Sequence, residues 1–168
     1  MINWQYFPKS DKIPGHLKII IEIFEKFGDQ IDSLRYKLKS NDVLSIVRQD
    51  LEKYWYKVEK SKKAKDKIFV PVLFGLRGKL EKYFEADAYN EEQKTVVEIE
   101  AGRGVLNNQF LKDLFQACMM AEVLYLVTAI RNLYLKNEDF NKVLAFYEAL
   151  YASGRLKLPL KGILIIGY

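Results

Sequence analysis

Cysteine and histidine are almost missing from this chain: its 168 residues contain one of each. The single Cys118 excludes an intrachain disulfide framework and suits a reducing compartment. It falls within the apolar pattern of an expected helix and is read as a core thiol. A lone His16 supports neither a histidine-based triad nor a zinc site, and is read as a surface or packing residue. Glycine is sparse as well, and "AGRGV" has too few for a dinucleotide or P-loop fingerprint. Long hydrophobic runs are absent. The longest, Val123 to Ile130, is too short to span a bilayer, and "MINWQYFPKSDK" is mixed rather than a basic-then-apolar leader. No internal repeat, low-complexity tract or dividing linker is present. The expectation is a soluble, cytoplasmic protein with no membrane partner.

What is present is apolar, aromatic and basic. Apolar residues make up 49% of the chain, which excludes general disorder, and the length suits one domain. The net charge of +5 favours anionic partners, nucleic acid first and acidic membrane surfaces second.

Periodicity divides the chain into elements. Leu17, Ile20, Phe24, Phe27, Ile31 and Leu34 recur at helical spacing after Pro14, with Gly28 as a weak point. A second helix is expected from Ser40, Asn41 or Asp42, with a stripe of Leu44, Val47, Leu51, Tyr54 or Trp55, and Val58. It fades into the lysine-rich "KVEKSKKAKDK", read as a frayed end plus loop. "IFVPVLFG" then reads as a strand with a bulge or edge at Pro71. Leu80 to Tyr89 and Lys94 to Ala101 form an expected hairpin around "NEEQ". An amphipathic helix follows, with Leu106, Phe110, Leu114, Ala117 and Cys118 inward. "EVLYLVTAIR" reads as a strand covered on both faces, "NEDFNKVLAFYEALYAS" as a helix ended by Gly154, and "LKGILIIGY" as a last strand. This order predicts an α/β fold, a mixed β-sheet of antiparallel meander plus helical crossovers, flanked by helices.

The chemistry concentrates in "FEADAYNEEQKTVVEIEAGRG", residues 84–104. Strand alternation puts Glu85 and Asp87 on one face, and Glu98 and Glu100 with Val96 on one face of the next strand. A tight "NEEQ" turn would set Glu98 across from Glu85 and diagonal to Asp87. Opposed like charges destabilise a strand pair by up to about 1 kcal/mol and drive one carboxyl pKa upward. A hard divalent cation held by oxygen ligands resolves the crowding. A solvated outer face, partly neutralised by Lys82 and Lys94, resolves it too.

The stretch resembles the PD-(D/E)XK nuclease superfamily, the restriction-endonuclease-like fold. There, an Asp near one strand is followed by Glu-x-Lys on the next; the matching residues are Asp87 and Glu98-Ile99-Glu100. Two departures stand out: Asp87 follows alanine rather than proline, and Glu100 occupies the usual lysine position, an E-x-E variant. The resemblance implies one nuclease-like domain over 1–168, with an N-terminal helical extension (1–40), a core (41–131) and a C-terminal helix and strand (132–168). It implies Asp87, Glu98 and Glu100 as catalytic residues. Asp87, Glu98 and the Ile99 backbone carbonyl would hold Mg²⁺, or Mn²⁺ in its place, with Glu85 as the alternative ligand. The activity implied is Mg²⁺-dependent endonucleolytic hydrolysis of double-stranded DNA, in the manner of a type II restriction enzyme acting as a homodimer.

Family members recruit a further glutamate from the helix before the sheet, for which Glu52 and Glu59, seven apart, are the candidates; both also fit a solvated helix face. Lys62 and Lys63, in the densest basic run, are candidate phosphate contacts or a solvated tail. Arg103, Asn107 and Lys112, near a helix start, are further DNA-binding candidates. Among the aromatics Trp4, Tyr54, Trp55 and Tyr56, packing is expected, with Tyr56 the most exposed. Two other readings stay open: a nuclease-like DNA-binding module with a decayed metal site, and a basic α/β interaction protein with a merely solvated acidic hairpin.

Overall fold

A computed structural model describes residues 1–102 and 104–168. One six-stranded sheet organises the chain, with strand order β1-β8-β7-β6-β5-β2. Its strands are β1 (Asn3–Phe7), β2 (Lys57–Val58), β5 (Ala88–Asn90), β6 (Thr95–Glu100), β7 (Tyr125–Ile130) and β8 (Gly162–Gly167). β6, β7 and β8 run parallel, while β1, β5 and β2 join antiparallel at the margins. The mixed sheet is the expected one.

Alternation along the parallel strands builds two cores. Val97, Ile99, Val127, Ala129, Leu164 and Ile166 face α1 (Gly15–Lys26) and α3 (Ser40–Lys53). Val96, Leu126, Ile130, Ile163 and Ile165 face α4 (Gln109–Met119) and α5 (Asp139–Ser153). The short α2 (Gly28–Ile31) follows α1 across the anticipated break at Phe27–Gly28. Gly154 ends α5 at φ 60°, a conformation in which glycine is unstrained.

Several expectations are corrected. Residues 1–40 are not purely helical, because β1 forms an edge of the main sheet beside β8. Leu34 lies 64% exposed, outside the stripe that continues from α1. Helix α3 stops at Lys53, and Trp55 at φ 66° turns the chain back. Val58 therefore reaches the core from strand β2 rather than from a helix, and Tyr56 is buried while Trp55 is exposed. The local "WYKV" run is rich in strand formers, and packing against β5 decides its state. β3 (Ile68–Phe74) and β4 (Leu80–Ala86) form a separate two-stranded sheet, with the anticipated irregularity between Pro71 and Leu73. Leu106 is exposed and precedes α4.

The sheet leaves little room at its C-terminal edge. A Cβ added at Gly167 would sit 2.6 Å from the Phe140 ring and 2.2 Å from Asn132 Oδ1. Phe140 is buried in the first turn of α5, within the second core, and cannot withdraw freely. Gly167→Ala should therefore destabilise by about 1–3 kcal/mol, measured by urea unfolding at unchanged slope.

Candidate active site

The acidic stretch is a strand junction rather than one hairpin. β4 ends at Ala86 and pairs with β3; β5 starts at Ala88 and pairs with β6. Asp87 is the residue between them. Ala88 pairs with Val97, so continuing the register by one residue sets Asp87 level with Glu98. This corrects the expected pairing of Glu98 with Glu85: the break at Asp87 shifts which carboxylates meet. The Ile99 N–H donates to Asp87 Oδ2 at 2.8 Å, which orients the carboxylate.

Along β6 the face toward α4 starts apolar at Val96 and turns acidic at Glu98 and Glu100. Across from it, α4 presents Phe110, Asp113, Leu114 and Ala117 inward. Asp113 is 5% exposed, and its Oδ2 has no hydrogen-bond partner. Together Asp87, Glu98, Glu100 and Asp113 line a cavity of about 190 Å³, with Lys62 and Lys112 also on its wall.

Burial and crowding shift these acids in one direction. Burial pushes Asp87 up to about 6, against the opposing Ile99 N–H and the Lys62 charge, with Glu59 adding to the rise. Glu98 stands well above the usual carboxylate range through burial and then the charges of Asp87, Asp113 and Glu100. Glu100 rises to about 8 through burial, the Asp113 charge and a hydrogen bond to Asp113. Burial carries Asp113 up to about 6, against that hydrogen bond.

This has a measurable consequence in metal-free protein. An acid whose folded pKa is raised holds its proton in the native state after the unfolded chain has lost it. Stability is then full below the unfolded pKa and declines as pH rises through the folded one. The melting temperature should fall between the unfolded carboxylate range near pH 4 and about pH 8, the value reached by Glu100. Calorimetry across that window checks the slope and its sign.

The other expected site residues separate cleanly. Glu59 is not on a helix: it follows β2, is 4% exposed and lines the cavity. Its N–H donates to the Asp87 carbonyl at 2.8 Å, and its carboxylate pairs with Lys62 Nζ at 2.7 Å. The solvated reading of Glu59 is therefore corrected. Glu52 is on α3, exposed, 4.0 Å from Lys60 Nζ and away from the cavity. Glu85 lines the rim and pairs with Lys67. Lys63 and Asn107 are exposed and outside the cavity, and Arg103 lies outside the described residues.

Two contributors escaped the sequence reading. Asp113 interrupts the apolar stripe Phe110, Leu114, Ala117 at a core-facing position, which is itself the signal of a buried functional acid. Lys62 is expected from the sequence as a phosphate contact or part of a solvated tail, not as a wall of the acidic cavity. Burial opposes its charge, but Glu59, Asp87 and Glu85 outweigh that and hold its ammonium above the usual lysine range.

The donor set consists of hard oxygens with no histidine or cysteine on the wall. Among the described residues no three His, Cys, Asp or Glu side chains are already arranged to hold a metal ion. The cavity fits a hard cation that keeps several waters and takes one or two carboxylates, as Mg²⁺ does, and not zinc or a closed protein cage.

No protein-family model matches the chain, and no curated protein matches it. Among solved structures it is similar to restriction endonuclease BglII complexed with a DNA 16-mer, with a TM-score of 0.53 and 14% identity. The match covers 99% of this chain and 75% of that one. At that identity the likeness is one of fold, and the chain has a restriction-endonuclease-like fold. No helix among the described residues is long and apolar enough to cross a membrane.

Proposed function

From that fold and this cavity we propose a metal-dependent endodeoxyribonuclease that hydrolyses phosphodiester bonds in double-stranded DNA, of the type II restriction kind. The observation that carries it is the convergence of four desolvated carboxylates on one small cavity, with lysines on its wall. A basic protein gains nothing in stability from that arrangement. The similar BglII structure holds DNA, which supports the substrate class. Among the described residues the four acids form one such cavity per chain, so a homodimer is proposed for cutting both strands. The free Cys118 agrees with a cytoplasmic setting.

Asp87 and Glu98, with the Ile99 carbonyl, are assigned to hold Mg²⁺ or Mn²⁺. Such a cation, when bound, lowers the pKa of water and neutralises charge on the phosphate. Asp87 is pre-oriented for this by the Ile99 N–H. Glu100, with its carboxyl near 8, is suited to accept the proton of the attacking water above about pH 8, or at lower pH once a bound cation lowers its proton affinity. Asp113 lines the same cavity as Glu100, and its charge raises the proton affinity of the Glu100 carboxyl. Lys62 brings the ammonium that the E-x-E motif lacks, and Glu59 holds it in place. Hydrolysis in this manner leaves a 5′-phosphate.

Incubation with plasmid and genomic DNA plus Mg²⁺ or Mn²⁺ tests the reading. Discrete fragments from wild type, absent with chelator, support a restriction enzyme, whereas smearing indicates a non-specific nuclease. Glu100 at the lysine position favours a second reading, a DNA-binding module without cleavage. That reading predicts intact DNA in every lane and binding indifferent to Mg²⁺.

A further inference from the structure

A second cavity, of about 410 Å³, opens beyond the C-terminal ends of the parallel strands, and its chemistry is the reverse of the first. Its wall carries Arg131, Lys37 and Lys136 and no carboxylate, with Leu34, Leu133 and Tyr134 between them. Such a crevice is where open α/β sheets receive ligands, and the volume falls in the range of small-molecule sites, about 300–1,000 Å³.

Arg131 is the central observation. It is only 6% exposed, yet it makes no ion pair among the described residues. Its guanidinium donates to the Leu38 carbonyl and lies over the Tyr134 ring at 5.3 Å. A balancing charge is buried Asp139, which feels Arg131 but lies off the cavity wall; with no carboxylate on that wall, the cavity side of the guanidinium is left for an anion that comes from outside.

The rim adds a second, independent feature. Tyr134 and Asn137 exchange both backbone hydrogen bonds at 2.8 Å, closing a two-residue turn over Leu135 and Lys136. Both residues sit in the left-handed region, at φ 47° and 68°. Such turns favour Asn-Gly, and a leucine there is strained. The turn places Leu135, 64% exposed, and Lys136 on the cavity wall. Strain of this kind persists at ligand clamps.

We infer that this cavity binds a nucleoside phosphate, its phosphate on Arg131, Lys37 and Lys136 and its planar base against Tyr134 and the leucines. Three cations without an acid select an anion, and the aromatic and leucine wall selects a flat apolar ring attached to it. The site stands without the cleavage reading. It is nevertheless linked to the acidic cavity: buried Tyr168 donates its hydroxyl to the Glu100 carbonyl at 3.0 Å, and the Arg131 charge acts on the same side chain. The ligand can therefore be a free nucleotide or one nucleotide of a strand passing the acidic cavity.

Calorimetric titration of metal-free full-length protein with dAMP, adenosine and inorganic phosphate tests the inference without requiring cleavage. dAMP should bind about tenfold more tightly than adenosine or phosphate alone. Lys37→Ala should weaken dAMP binding about tenfold. The double change Leu135→Asn with Lys136→Gly should weaken it similarly while raising the melting temperature, because it relieves the turn. Competition by a short single-stranded oligonucleotide identifies a nucleotide within a strand as the source, and its absence identifies the free nucleotide; either result supports the site. Phosphate binding as tightly as dAMP, or dAMP affinity unchanged in both variants, would overturn it. Failure of cleavage leaves these results unaffected, so the two readings fall separately.

Discussion

Glu98→Gln should abolish DNA cleavage and, in metal-free protein, raise the melting temperature. Glu98 is the most crowded acid of the cavity, facing the charges of Asp87, Asp113 and Glu100 in desolvated surroundings. Replacing it by a neutral amide of the same shape removes that repulsion. The expected gain is about 1 kcal/mol at pH 8, or about 2–4 °C for a chain of this size. Below the unfolded carboxylate range the gain should vanish, since both states are then protonated. Cleavage should fall roughly a thousand-fold or more, the scale on which groups serving developing charge act. Opposite signs in stability and activity are the signature of a functional carboxylate; a structural one would lose both.

Lys62→Ala should lower the cleavage rate about a hundred-fold and destabilise by about 1–3 kcal/mol. Its own side chain is 65% exposed, but that of its partner Glu59 is only 5% exposed and would be left without its ammonium. The Lys62 ammonium also lines the cavity and feels Asp87 and Glu85. The loss should fall in kcat rather than KM, because the role assigned to it is charge stabilisation in the transition state. Lys63→Ala is the natural control: the neighbouring lysine is also exposed but lies outside the cavity, and its removal should mainly raise KM and reduce the salt sensitivity of KM. Equal effects of the two would withdraw Lys62 from the site.

How far the sequence carried these conclusions depends on the range of the interaction involved. The α/β class, helices α1, α4 and α5, and strands β7 and β8 are visible because their apolar periodicity is local and strong. β1 was hidden, since "NWQYF" carries little alternation and becomes a strand only by pairing with β8 at the far end of the chain. Residues 57–59 were drawn into α3 for the same reason: their partner is β5, some thirty residues on. That single error moved Glu59 from the wall of the cavity to a helix face. Glu98, Glu100 and Asp87 were legible as a crowded acidic set, because a short stretch carries all three. Their mutual register was not, since the break at Asp87 that separates β4 from β5 depends on β4 choosing β3 as its partner. Asp113 and Lys62 arrive from other elements, and nothing in their own neighbourhoods names Glu98 as the destination.

The cavity is proposed to bring four acids together for a cation, and direct binding measures that. Metal-free wild type and Glu98→Gln, titrated with Mn²⁺ at pH 8 by calorimetry, should differ. Wild type should take up the ion saturably with release of protons, since Glu98 and Glu100 are held above the usual carboxylate range before it binds. The variant should show no such saturation over the same concentrations. Equal uptake by both proteins, or none by wild type with DNA present, would contradict a metal site at Glu98.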